Sequence, residues 1–151
     1  MRAVIQRVSR ASVTVEGELK GKIRQGLVVL LGIERSDTKD DLAWLVNKVP
    51  QLRVFEDQEG KMNLDILAVE GEMIVVSQFT LFGNVRKGTR PSFNRSAAPD
   101  FAIPMYEAFI SEMEARLGKP VVTGKFGAMM EVDLVNEGPV TLVIDTHDKR
   151  F

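Results

Sequence analysis

The chain opens with alternation: MRAVIQRVSR and ASVTVEGE place apolar and polar residues in turn, with β-branched enrichment, the period of half-buried strands. Gly17-Glu18, ahead of LKGKI, supplies a reversal, so the N-terminus reads as a meander. GLVVLLGIE, residues 26–34, is a continuous apolar run bounded by glycine and charge, which predicts a strand buried on both faces. The period then changes. Leu42, Leu45, Val46 and Val49 recur at helical spacing, predicting a helix over 37–49, capped by Ser36 or Asp37 and stopped near Pro50.

RVFEDQEGKMNLDI reads as two short strands about a polar turn from Asp57 to Gly60, and EMIVVSQFT as a β-branched strand running into a polar cluster. A second helix is predicted from Pro99 or Asp100 to Leu117. Its apolar stripe is Phe101, Met105, Ala108, Phe109, Met113 and Leu117, and Gly118 sits where a left-handed residue would end it. Pro104 fits only in the first turn. PVVTG and FGAMMEVDLVNEGPVTLVIDT are mostly strand. The pattern as a whole predicts one α+β domain over 1–151, with a mostly antiparallel, barrel-like sheet core and two principal helices.

Composition narrows the chemistry. With 151 residues the chain can bury a core without staples, and its longest apolar run is too short to cross a bilayer. The strand-like start is not a charged-then-apolar leader, so a cytoplasmic protein is expected. No cysteine and a single histidine, His147, leave no thiolate nucleophile and no Cys/His zinc site, so neither metal nor cofactor is expected. His147 lies in HDKR near the C-terminal end and reads as a surface residue, which argues against a Ser-His-Asp triad. The net charge of −1 excludes a general polycation.

Candidate chemistry falls in three places. Ser77, Gln78, Phe79 and Thr80 end a buried strand with two hydroxyls and an amide; they either form a site or satisfy loop backbone. The window from Met73 to Pro99 holds no acid but contains Arg86, Lys87, Arg90 and Arg95, which suit phosphate contacts or a solvated surface equally. Phe79, Phe82 and Phe93 interleave with these charges, as base-stacking rings or as core. Gly138-Pro139 interrupts a strand pattern where proline can donate no ladder bond, so it is either a tight turn between strands or a backbone with its own task.

SQFTL at 77–81, RPSF at 90–93, FGAMMEVDLVNEGPVT at 126–141 and the opening IQRVSRASVTVEGE resemble the D-aminoacyl-tRNA deacylases over nearly the whole chain. Two positions depart slightly: Phe82, where tyrosine or alanine also occurs, and Glu137, where aspartate is frequent. The resemblance implies a homodimer with shared active sites. It would hydrolyse the ester joining a D-amino acid, or glycine, to the 3′ end of tRNA while sparing L-aminoacyl-tRNA, with no role for DNA or membrane. It further implies that Ser77, Gln78, Phe79 and Thr80 form the catalytic segment and that Phe126, Gly127, Ala128, Met129 and Asn136 receive substrate and adenosine. Gly138 and Pro139 would be a cis peptide that reaches into the partner's site as a chirality gate, and Arg86, Lys87, Arg90 and Arg95 would meet tRNA phosphates.

Overall fold

The computed structural model describes residues 1–149. Its main sheet is organised around one long strand. β1, Arg2–Val15, pairs antiparallel with β2, Glu18–Ile23, and with β3, Gly26–Gly32, along one edge. The two-residue link of β1 to β2 has positive φ at both Glu16 and Gly17, which matches the twist of a tight hairpin. β6, Glu72–Ser77, and β7, Val122–Thr123, continue the sheet beyond β3 in parallel register. The antiparallel core of the reading therefore carries a parallel half.

Parallel neighbours need crossovers, and the two helices supply them. α1, Lys39–Lys48, lies between β3 and β6, and α2, Pro99–Leu117, between β6 and β7. Crossovers of the usual right hand, taken twice in the same direction along the sheet, put both helices on one face, where residues of both share one core. That face buries Leu27, Val29, Leu31, Met73 and Val75 against Leu45, Tyr106, Phe109 and Met113. The alternate residues Val28, Ile74 and Val76 turn to the concave side and meet Val8, Ala11 and Ile23. Residues 26–34 are thus buried on both faces, as their unbroken apolar run predicts. β4, Phe55–Glu56, and β5, Met62–Leu64, form a separate hairpin about the Asp57–Gly60 turn.

Three local expectations are corrected. Thr38, not Ser36 or Asp37, caps α1: it forms a reciprocal capping box with Asp41, while Asp37 is buried and accepts from the amino group of Met1 and the N–H of Glu34. The buried stripe of α2 is Ala102, Tyr106, Phe109, Met113 and Leu117; Phe101 is exposed, and Pro104 lies in the second turn rather than the first. Gly118 ends α2 in the left-handed conformation, as the sequence predicts.

The largest departure concerns Gly138-Pro139. Both halves of β8, Met130–Asp145, run antiparallel to the same strand β1, so no reversal occurs between them. Asn136 faces Val8 and Thr141 faces Gln6, which leaves residues 137–140 looped out opposite Arg7. The Gly138-Pro139 bond in this bulge is cis.

Candidate active site

β3 and β6 end side by side, and the crevice beyond the carboxyl ends of parallel strands is where open α/β sheets bind ligands. A cavity of about 550 Å3 opens there. Its floor is Leu31, Ile33 and Val76; Ser77, Gln78 and Phe79 form one wall, and Phe126, Gly127, Ala128 and Met129 face them. Sequence reasoning placed both segments in one site, and the fold brings them together. Ser96, Ala97 and the first turn of α2 complete the rim. Phe126 is braced from below by Tyr106, ring centroids 5.8 Å apart, whose hydroxyl donates to the Val75 carbonyl at 2.8 Å. Burial pushes the Tyr106 phenol up to about 12, so it remains a donor.

None of the described residues lining this cavity is ionisable. His147 is far from it in function: its Nε2 lies 3.0 Å from Asp37 and 3.7 Å from Asp41, beside the Met1 amino group. What the cavity wall offers is main chain. After Gln78, whose φ of −141° and ψ of 79° are not helical, the backbone tightens into a 3-10 turn, Phe79–Phe82. The first N–H groups of such a turn have no acceptor inside it. The N–H of Gln78 donates to Leu31 and that of Leu81 to Gln78, but among the described residues the N–H groups of Phe79 and Thr80 find no acceptor. The carbonyl of Phe79 accepts from the Ser96 hydroxyl at 2.9 Å, which anchors the turn to the loop ahead of α2. The Thr80 side chain points elsewhere than the lining: its hydroxyl accepts from the Gln78 amide, a group that cannot serve as a base.

The aromatic residues divide. Phe79, 57% exposed, and Phe93 meet edge to face at 5.0 Å on the cavity wall, whereas Phe82 is core. Met129 projects at the mouth, 86% exposed.

Asn136, Gly138 and Pro139 do not line the cavity of their own chain. Asn136 ties the neck of the bulge, donating to the carbonyls of Arg7 and Val140 at 2.9 Å each. Gly138 and Pro139 are exposed at its tip. Arg7, unremarked in the sequence reading, lies beneath: it donates to the Val54 carbonyl at 2.6 Å and the Glu137 carbonyl at 3.3 Å, with the Glu56 and Glu137 carboxylates within 3.6 Å. The signal for it was a cation in the inward register of an alternating strand, after Ala3 and Ile5.

Of the basic cluster, Arg95 is engaged by Glu34 through two bonds of 2.6 and 3.0 Å, which raise its already high pKa. Among the described residues Arg86, Lys87 and Arg90 make no ion pair and are exposed.

Known proteins resemble this chain over nearly its whole length. A D-aminoacyl-tRNA deacylase from Opitutus terrae is 57% identical over 147 residues, covering 97% of this chain and 98% of the relative. One from Parabacteroides distasonis is 53% identical over 99% of both. Among solved structures, one titled c-Myc DNA Unwinding Element Binding Protein superposes with a TM-score of 0.89 at 42% identity, covering 96% of this chain and 98% of that one. A probable eukaryotic D-amino acid tRNA deacylase shares the fold at TM-score 0.79 and 19% identity, over 95% and 97% of the two chains. The family model for D-Tyr-tRNA(Tyr) deacylase matches residues 4–145, and the chain belongs to that family.

Proposed function

We propose that this chain hydrolyses the ester of D-aminoacyl-tRNA and of glycine-mischarged tRNA, releasing amino acid and tRNA, and that it does so as a homodimer with shared sites. The observation that carries the reading is a cavity that, among the described residues, has no ionisable lining, beside two main-chain N–H groups without an internal acceptor. An aminoacyl ester is activated already. Water attacks the carbonyl carbon, the bond to the ribose oxygen breaks, and that oxygen departs with a proton. The charge that gathers transiently on the carbonyl oxygen falls on the N–H groups of Phe79 and Thr80, with Ser77 and Gln78 shaping the wall. Such a site needs no base of its own.

Chiral choice would come from the partner. The exposed bulge carries Gly138 and Pro139 away from their own cavity, which favours their use in trans. A D residue or glycine presents hydrogen to this rigid backbone; an L side chain collides with it. Phe126, Gly127, Ala128 and Met129 would hold the terminal adenosine, and Arg86, Lys87 and Arg90 would meet phosphates, with Arg95 holding their loop to Glu34.

Purified protein should release D-tyrosine and glycine from their tRNA esters and leave L-Tyr-tRNA intact, and should sediment as a dimer. Equal hydrolysis of D and L esters would refute the gate. The 42% identical neighbour named for a DNA element supports a second reading, a duplex-DNA binder. Under it, duplex DNA would displace tRNA at comparable concentration and both esters would survive.

A further inference from the structure

A second cavity, about 350 Å3, lies behind the catalytic turn and is lined by Arg2, Phe82, Asn84, Arg86 and Arg95 together with Gly83 and Val85. Among the described residues no carboxylate lines it. We propose that it is a phosphate subsite, which takes a backbone phosphate of the tRNA 3′ strand while the larger cavity holds the terminal aminoacyl-adenosine. The assignment of that phosphate to tRNA rests on the deacylase reading above.

Two of the three guanidiniums are fixed from behind. Asp145 accepts from Arg2 at 3.0 and 2.7 Å, and Glu34 accepts from Arg95 at 2.6 and 3.0 Å. Both carboxylates are buried, 6% and 7% exposed, so they stand on the protein side of the cations. Burial alone would raise the Asp145 carboxyl, but hydrogen bonds from Arg2 and the His147 N–H hold it below the ordinary range. Arg2 also donates to the Leu81 carbonyl at 2.6 Å, and the two guanidiniums lie 5.0 and 5.6 Å from the Phe82 ring centroid. Planar donors held this way lose little freedom when an anion arrives.

The third cation is different. Arg86 has no ion pair among the described residues, yet its backbone is placed: its N–H donates to the Asn84 side chain at 2.9 Å, and Asn84 exchanges two main-chain bonds with Ser92. Among the described residues, three guanidiniums against two carboxylates leave one net positive charge, which matches a phosphodiester. The subsite is also in the right place. Phe79 lines the larger cavity and Phe82 the smaller, three residues apart on one 3-10 turn, or about 6 Å along its axis. Ser96 and Arg95 repeat this division on the opposite wall. A strand whose last ribose occupies the first cavity passes the second within its first one or two phosphates.

The test compares three substrates: the 3′-D-tyrosyl ester of adenosine, the same ester bearing a 5′-phosphate, and the ester of the CpCpA trinucleotide. As phosphates are added, KM should fall about 10-fold at the step where one reaches the cavity, with little change in kcat. Arg86→Ala should abolish that step and Arg86→Lys should restore part of it. Millimolar inorganic phosphate should compete with the favoured phosphorylated ester and not with the bare ester. A KM that is flat across the series, a step that survives Arg86→Ala, or equal inhibition of both esters by phosphate would overturn the proposal. Should the wild-type protein hydrolyse none of the three, the deacylase reading fails instead. Calorimetric binding of CpCpA against adenosine, with and without Arg86→Ala, then still reads the subsite.

Discussion

Replacing Phe79 by proline removes one main-chain N–H, and comparison with Phe79→Ala separates that loss from loss of the ring. Position 79 opens a 3-10 turn, where proline's fixed φ fits, and Gln78 before it, at φ −141° and ψ 79°, lies outside the α region that a following proline disfavours. Its N–H makes no internal hydrogen bond among the described residues, so no fold contact is lost with it. If it stabilises the developing oxyanion, Phe79→Pro should be slower than Phe79→Ala by about 10² to 10³, the usual worth of one such donor. Thr80→Ala provides the opposite control. It deletes only a hydroxyl bonded to the Gln78 amide at an exposed position, worth about 0.5–1.5 kcal/mol, or roughly 2- to 13-fold. Loss of a covalent nucleophile would cost about 10⁴ to 10⁶. Single-turnover release of D-tyrosine from tRNA, with enzyme in excess and folding checked by circular dichroism, reads all three variants. Equal rates for Phe79→Pro and Phe79→Ala, or a thousandfold loss in folded Thr80→Ala, would refute the main-chain mechanism.

Gly138 has φ of +118°, and a Cβ there would stand 2.9 Å from both an Arg7 guanidinium nitrogen and a Val140 methyl. Gly138→Ala should therefore displace the bulge and raise L-Tyr-tRNA hydrolysis relative to D; an unchanged ratio would remove this segment from the gate. Arg7→Met leaves the buried Val54 carbonyl unsatisfied, and the partly exposed Glu56 and Glu137 add little, so a loss of about 3 kcal/mol is expected in denaturant unfolding. Burial would raise the Asp41 carboxyl, but hydrogen bonds from the Thr38 and Thr146 side chains bring it down to about 2. Because the folded pKa is depressed, this stabilisation is present above about pH 4 and is lost as pH falls toward 2. After allowance for solvent screening it amounts to about 1 kcal/mol, and acid titration of Asp41→Asn against wild type should show that difference narrowing below pH 4.

The elements were legible because most are dictated locally. The unbroken run of β3, the helical spacing of α1 and the glycine after α2 each have one stable solution once burial is required. In its first half the α2 stripe was misread by one residue, Phe101 and Met105 standing for Ala102 and Tyr106, because apolar character alone does not say which of two adjacent positions faces the sheet, and Phe101 is exposed. Proximity of residues 77–79 to 126–129 came from the family resemblance; periodicity carries no information about which strand ends share a crevice. The roles of Arg2, Arg7 and Asp37 were missed for a common reason. Each is a charged residue held at least partly out of solvent by a partner distant in sequence, respectively Asp145, Val54 and the Met1 amino group, and no window along the chain contains both members.

The bulge could not be read from its own residues either, because Gly-Pro between two strand patterns describes a turn and a looped-out segment equally well. What decides is β1. Its fourteen residues pair with both halves of β8, so a reversal at 138–139 would strip one half of its ladder. A bulge keeps both halves hydrogen-bonded and leaves only residues 137–140 outside, over an arginine that holds them by main-chain carbonyl. An exposed, braced segment of backbone at the sheet edge is then free to meet another molecule. Under the proposed gate its selectivity would depend on where atoms are rather than on which side chain they belong to, which suits a cavity with no ionisable lining among the described residues.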